Sequence, residues 1–283
     1  MKNPDVFFEL QKISSRLSSE CKTLHFGNYA AAVYNPLEYA FSPHNLYLEL
    51  AGSSPKKAIF LGMNPGPWGM AQTGVPFGEV SAVRDWLGIE AAVKKPKPEH
   101  PRRPIEGFAC KRSEVSGRRL WGLFRERYKT PSAFFRGHFV ANYCPLVFMR
   151  ESGKNITLNE LPAEDKRPLF EICDRALAGT IWLLKPEWVI GVGGFAKKRI
   201  DIVKEKYFSC DGAKSDNSKS DNSKSDSAKS DNEKSNSTKK SSGNLKYNFS
   251  TAKILHPSPA SPKANAGWER EVIKTLTELG VWK

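Results

Sequence analysis

The stretch Ala58-Ile59-Phe60-Leu61-Gly62-Met63-Asn64-Pro65-Gly66-Pro67-Trp68-Gly69-Met70 decides how the rest of the chain is read. A short apolar run is what a parallel sheet buries on both faces, and here it turns abruptly to Gly, Pro and Asn. A buried strand over 57–63 therefore ends where a tight loop begins. Ligands of open α/β sheets sit just beyond the carboxyl ends of strands, so Met63, Asn64 and Gly66 stand where chemistry is usually done. Pro65 and Pro67 stiffen the loop, while Gly66 and Gly69 let main-chain N–H groups approach a ligand.

Outward from this stretch the same grammar returns. His138-Phe139-Val140-Ala141-Asn142-Tyr143-Cys144-Pro145-Leu146 is again an apolar strand, an Asn and a following Pro. Two more short apolar runs, 188–192 and 253–256, give two more strands, the last leading into His256-Pro257-Ser258-Pro259. Helical spacing covers 5–20, 79–87 with a Gly88 stop, the region around 120–124, 163–184 before Pro186, 196–207 and 269–279. The Pro-interrupted segment Val33 to Leu50, with its alternation around Leu46-Tyr47-Leu48-Glu49-Leu50, predicts a strand or hairpin leading into the first core strand. Strands alternating with helices imply a three-layer α/β/α fold around a central, mostly parallel four-stranded sheet with right-handed crossovers.

The chain has 283 residues and a formal net charge of +14, a field that favours a polyanionic partner, nucleic acid before an anionic membrane. It has no run of 18 apolar residues and no signal-peptide core at its start, so an intracellular soluble protein is expected, with no membrane partner. Cys21, Cys110, Cys144, Cys173 and Cys210 form no CxxC pair, and the histidines show neither HxH nor HExxH spacing; free buried thiols, no metal and no cofactor are expected. From Lys214 a five-residue repeat begins, rich in Lys, Ser, Asp and Asn. Residues 211–243 read as a disordered insert within a single domain spanning 1–283. Within the insert, seven Lys against five Asp and one Glu leave +1, so +13 belongs to the rest. The basic run 94–103 reads as a solvated loop.

Gly191-Val192-Gly193-Gly194-Phe195-Ala196 fits the dinucleotide fingerprint G-x-G-x-x-A. No apolar strand with a terminal acidic residue follows about twenty positions on, so a tight strand-to-helix turn is the better reading. Taken singly, Asn64 would be a turn residue, Phe77 a core residue and His256 a satisfied polar group. His44 and His138 are read as structural.

Together, however, Gly62-Met63-Asn64-Pro65-Gly66-Pro67 running into Gly69-Met70-Ala71-Gln72-Thr73-Gly74-Val75-Pro76-Phe77-Gly78-Glu79-Val80, then Asn142-Tyr143-Cys144-Pro145-Leu146, then His256-Pro257-Ser258-Pro259 with Ala264-Asn265 and Gly267-Trp268, closely resemble the uracil-DNA glycosylase superfamily, and within it the single-strand-selective monofunctional group. The resemblance implies an enzyme that excises uracil, or uracil oxidised at C5, from DNA, a monomer working in the nucleus. It places the water-positioning residue at Asn64, the leaving-group stabiliser at His256, the stacking platform at Phe77 and the base-edge reader at Asn142. Met63, Gly66 and Met70 complete the base site, and Ser258, Pro259, Ala260 and Lys263 meet DNA. The family's wedge arginine is replaced here by Ala260.

Elementary chemistry agrees with these roles. An Asn amide can accept from N3–H and donate to O4 of uracil at once, a pattern that cytosine opposes. An amide at 64 orients water but has no basic form near neutral pH, so the bond must break largely before water attacks. A lyase needs an amine in the pocket; Lys253, three residues before His256, points to the opposite face of its strand.

Overall fold

The computed structural model describes residues 4–27, 29–209 and 247–283. The expected insert at 211–243 lies outside the described residues, as does Cys210. In chain order the elements are α1 (Pro4–Lys22), β1 (Ala32–Tyr34), α2 (Pro36–Tyr39), α3 (Phe41–Leu50), β2 (Ala58–Gly62), α4 (Met70–Thr73), α5 (Val115–Tyr128), α6 (Pro131–Gly137), β3 (His138–Asn142), β4 (Val147–Met149), β5 (Asn155–Ile156), α7 (Ala163–Leu184), β6 (Trp188–Val192), α8 (Gly194–Phe208), β7 (Ser250–Ile254), α9 (Pro262–Asn265) and α10 (Trp268–Glu278).

The expected four-stranded sheet is present, with order β3-β2-β6-β7 and every neighbouring pair parallel. Ile59, Phe60 and Leu61 of β2 are completely buried because both faces of the sheet are covered. The Phe60 ring meets Phe124 of α5 at 4.9 Å. Leu61 lines a small cavity of about 80 Å³ together with residues of α1, α3, α7 and β3 and with Met70 and Pro76. From β2 the chain moves out to β3 and then crosses back over to β6, so the strand order reverses at β2. The carboxyl end of β2 is therefore the crevice where such sheets bind ligands.

Two findings depart from the expectation. The 46–50 segment belongs to a helix, α3, and not to a strand: His44, Tyr47, Leu48 and Ala51 are buried at helical spacing, whereas Leu46 is 38% exposed. The Tyr47 hydroxyl donates to the Val140 carbonyl at 2.6 Å and locks α3 onto β3. A second sheet, β1-β4-β5, is antiparallel and was not expected. Its strands have three, three and two residues, too few for an alternation to show. The segment after Phe77 is helical as expected, with wide π-type turns over Ala82–Trp86, and Gly88 takes a left-handed φ of +69° at its end.

Candidate active site

The ends of β2 and β3 are joined beyond the last ladder pair. Tyr143 N–H donates to the Gly62 carbonyl at 3.0 Å, and Cys144 N–H to the Met63 carbonyl at 2.9 Å. This brings the Asn64 loop beside the 142–146 segment, where Asn64 Nδ2 donates to the Leu146 carbonyl at 3.2 Å. A carbonyl only accepts, so the amide nitrogen is committed to that side. Asn64 Oδ1 is turned away from it, buried and without a hydrogen-bond partner among the described residues. A buried acceptor held this way is poised for a donor supplied from the crevice.

Asn142 is the last residue of β3, paired with Gly62 in the parallel register. Its Nδ2 donates to Met70 Sδ at 3.3 Å, a weak bond easily exchanged for a better acceptor. A Cβ on Gly62 would come within 2.5 Å of Asn142 Oδ1 and 2.5 Å of Phe77 Cε2, so only glycine lets the amide and the ring meet there. Phe77 itself has φ +53°, a left-handed conformation that a bulky residue adopts only when its surroundings enforce it. Here they do. The Trp121 indole donates to the Pro76 carbonyl at 3.1 Å, the Thr73 hydroxyl donates to the Gly78 carbonyl at 2.9 Å, and Gly117 of α5 packs on the Phe77 carbonyl so closely that a Cβ would overlap it.

His256 lies just past β7, its ring centroid 6.3 Å from that of Phe77. The Trp268 indole donates to the Leu255 carbonyl at 2.7 Å and anchors the residue before it. Gly193, with φ +95°, lies against the imidazole: a Cβ there would come within 3.2 Å of His256 Cβ and 3.4 Å of Cδ2. Gly191 is as closely packed, since its Cβ would fall 2.4 Å from Lys197 N. Packing and turn geometry therefore account for the glycines of the dinucleotide-like motif. Burial lowers the His256 pKa below its ordinary value of 6.5, which favours the neutral ring. Lys253 is exposed between buried Ala252 and Ile254, on the face expected.

Asn142, Phe77, Met70 and His256 thus form one contiguous group, and Met63 and Asn64 adjoin it through the joined strand ends. Gly66 touches nothing where its side chain would be, and the corresponding space at Gly69 is taken by Glu114, whose Cγ would lie 3.1 Å from a Cβ. Ser258, Pro259 and Ala260 form a loop with Pro259 and Ala260 exposed, and Lys263 stands exposed in the first turn of α9. Arg119 of α5 holds this loop. Its guanidinium donates to the Pro257 carbonyl at 3.1 Å and to Asn265 Oδ1 at 2.9 Å, while Asn265 Nδ2 donates to the Pro259 carbonyl at 2.8 Å.

Arg119 escaped sequence reasoning because a single basic residue on a helix carries no signal of its partners. Gln72 was likewise silent. It is 1% exposed and ties two loops together, Nε2 donating to the Pro67 and Pro104 carbonyls at 3.0 and 3.2 Å and Oε1 accepting from Glu106 and Gly107 N–H at 2.9 and 3.1 Å. The basic run 94–103 leads into this anchored segment with Lys94, Lys95, Lys97 and Arg102 exposed, as expected of a solvated loop. Cys21, Cys110, Cys144 and Cys173 are free and buried. Among the described residues no group of three or more His, Cys, Asp or Glu could hold a metal ion, and no helix is long and apolar enough to cross a membrane.

A family model for the uracil DNA glycosylase superfamily matches residues 51–277. Over 266 residues the chain is 42% identical to the single-strand selective monofunctional uracil DNA glycosylase of Bos taurus, a match covering 94% of this chain and 84% of that one. The protein of the same name from Rattus norvegicus is 41% identical, with 94% and 82% covered. Among solved structures, wild-type SMUG2 of Pedobacter heparinus has the same fold, with a TM-score of 0.56 at 14% identity over 95% of this chain and 97% of the other. The residues that build the crevice all fall within the span of the family match, and the chain belongs to the uracil DNA glycosylase superfamily.

Proposed function

We propose that this protein is a monofunctional uracil-DNA glycosylase. It hydrolyses the N-glycosidic bond of uracil in DNA, releases the free base and leaves an abasic site without cutting the strand. The observation that carries this reading is the group around Phe77: a platform ring in an enforced backbone conformation, with the Asn142 amide over Gly62 beside it and His256 6.3 Å away. An extruded uracil stacks on Phe77, and Asn142 exchanges Met70 for the O4 of the base while accepting from N3–H. His256 donates to O2 as negative charge develops on the departing base. Water is held by Asn64 Oδ1 and attacks the oxocarbenium-like sugar after the bond has largely broken. The position of Lys253 outside the crevice supports hydrolysis over lyase chemistry.

The open space at Gly66 supports acceptance of uracils bearing a small oxidised group at C5, such as 5-hydroxymethyluracil. DNA with uracil or oxidised uracil, single- or double-stranded, is the partner, and the protein works in the nucleus as a monomer. A mismatch-specific member of the same superfamily is the alternative enzyme. A nucleic-acid-binding module without catalysis would fit the charge alone, but would leave the enforced Phe77 geometry without a purpose.

The deciding experiment measures release of free base from oligonucleotides carrying uracil, 5-hydroxymethyluracil or thymine, for wild type, Asn64→Ala and His256→Ala. Each substitution is expected to lower the rate by about 10²–10³, as for loss of one preorganised polar group, with little change in DNA affinity. No release by the wild type from any uracil substrate would leave only the binding module.

A further inference from the structure

Trp68 lies four residues beyond Asn64 in the same loop, and two arginines from elsewhere in the chain rest on its ring. Arg103 Cζ is 5.1 Å and Arg112 Cζ 5.0 Å from the ring centroid. Neither guanidinium pairs with a carboxylate among the described residues, and neither do neighbouring Arg102 and Lys111. Cations that serve only to stabilise a fold are ordinarily neutralised or scattered. Two of them stacked on one aromatic ring, each with a further basic residue beside it in the chain, make a built positive surface.

The stack is held against the site by the Gln72 amide, which binds Pro67, one residue before Trp68, and Pro104, one residue after Arg103. On its other flank Gly69 touches Glu114, the cap of α5, two residues beyond Arg112. Arg119, five residues further along the same helix and about 7 Å along its axis, holds the loop of Ser258 and Pro259. The Trp68 stack and the His256 loop therefore flank the same end of α5, with the base site between them. A strand whose base enters that site continues along this surface.

We propose that the Trp68–Arg103–Arg112 stack is a phosphate clamp for the nucleotides adjoining the excised base, and that it grips a single strand. The indole ring orders each guanidinium in advance; Arg103 Nη1 is also held by the Arg102 carbonyl at 2.9 Å and its Nε is buried, which leaves its Nη2 and the Arg112 guanidinium to meet phosphate oxygens with little further loss of side-chain freedom. The site needs no second strand, because two adjacent guanidinium groups on one ring match neighbouring phosphates of a single backbone. It rests on the uracil-glycosylase reading only for the direction in which the strand runs from the site.

The test compares wild type, Arg103→Gln, Arg112→Gln and the double variant, with Lys206→Gln as a control of equal charge loss on α8. Binding of a plain single-stranded oligonucleotide is measured across salt concentrations, and base release is measured on a long uracil oligonucleotide and on a uracil dinucleotide too short to reach the stack. The slope of log K against log salt is expected to fall by about 0.7 for each arginine removed, with no comparable change in Lys206→Gln. KM on the long substrate rises several-fold, and turnover of the dinucleotide stays as in the wild type. An unchanged slope, an equal loss in Lys206→Gln, or a matching loss on the dinucleotide overturns the clamp. Failure of the wild type to release base would overturn the enzymatic reading alone, since the binding slopes still judge the clamp.

Discussion

Asn64 and His256 differ in what their surroundings leave free. The Leu146 carbonyl commits the Asn64 nitrogen and so presents its oxygen, an assignment that follows from donor and acceptor rules alone. His256 is held by packing against Gly193, and burial lowers its pKa below 6.5. A ring with a depressed pKa is neutral above pH 6.5 and takes up a proton only below it, so under the proposed mechanism the donor to O2 at physiological pH is a neutral imidazole. Single-turnover base release is therefore expected to stay level from pH 8 down to about 6.5, with no titration of this histidine near its ordinary value. A protonation step centred at 6.5 or above, followed by ring NMR shifts of His256, would contradict the neutral donor.

The loop 257–261 shows how short elements are given a shape. Arg119 and Asn265 bind its carbonyls, Ser258 Oγ accepts from Ala260 N–H at 3.2 Å, and Ser261 Oγ caps α9 by accepting from Ala264 N–H at 3.4 Å. Its tip carries Pro259 and Ala260 exposed, without a side chain long enough to fill the gap left by a flipped base. Flipping from a duplex costs a few kcal/mol in unpairing and unstacking that a single strand largely avoids. Ala260→Arg is therefore expected to raise activity on uracil in duplex DNA more than in single strands, and to steepen the salt dependence of duplex binding by about one phosphate contact. The exposed position lets the substitution be accommodated without repacking. Equal gains on both substrates would mean that the new charge attracts DNA without wedging.

Across the molecule, buried titratable groups couple stability to pH. Desolvation lowers His44 to about 4, and desolvation followed by the charges of Lys56 and Lys57 lowers His138 to about 4. His44 Nδ1 donates to the Gly74 carbonyl at 2.8 Å, so in the neutral ring Nε2 accepts from the Ser14 hydroxyl at 2.8 Å and both nitrogens are satisfied. Because the unfolded chain binds these protons near 6.5 and the folded one near 4, stability is intact above 6.5 and is lost as pH falls towards 4. Each ring contributes on the order of 3 kcal/mol to that loss. Urea unfolding at pH 7, 5.5 and 4 is expected to show a progressive fall that, with both rings counted, rivals the whole stability of an ordinary domain. Equal stability at pH 7 and 5 would show that the rings are charged in the folded state.

The four strands of the parallel sheet, its type and the residues at its rim were legible in the linear order of residues. Asn64, Asn142 and His256 each close an apolar run, and a buried parallel strand must end in the crevice, so period and composition sufficed. What could not be read is whatever depends on contacts between distant segments. The helix at 41–50 was mistaken for a strand because alternation in Leu46-Tyr47-Leu48 says nothing about Val140, the group that Tyr47 binds. Phe77 was named by resemblance, yet its left-handed backbone is imposed by Thr73, Trp121 and Gly117, two of them some forty residues away. Arg119, Gln72 and the Trp68 stack acquire their roles only when loops meet, because a hydrogen bond or a ring contact is a property of two places in the chain and only folding sets the distance between them.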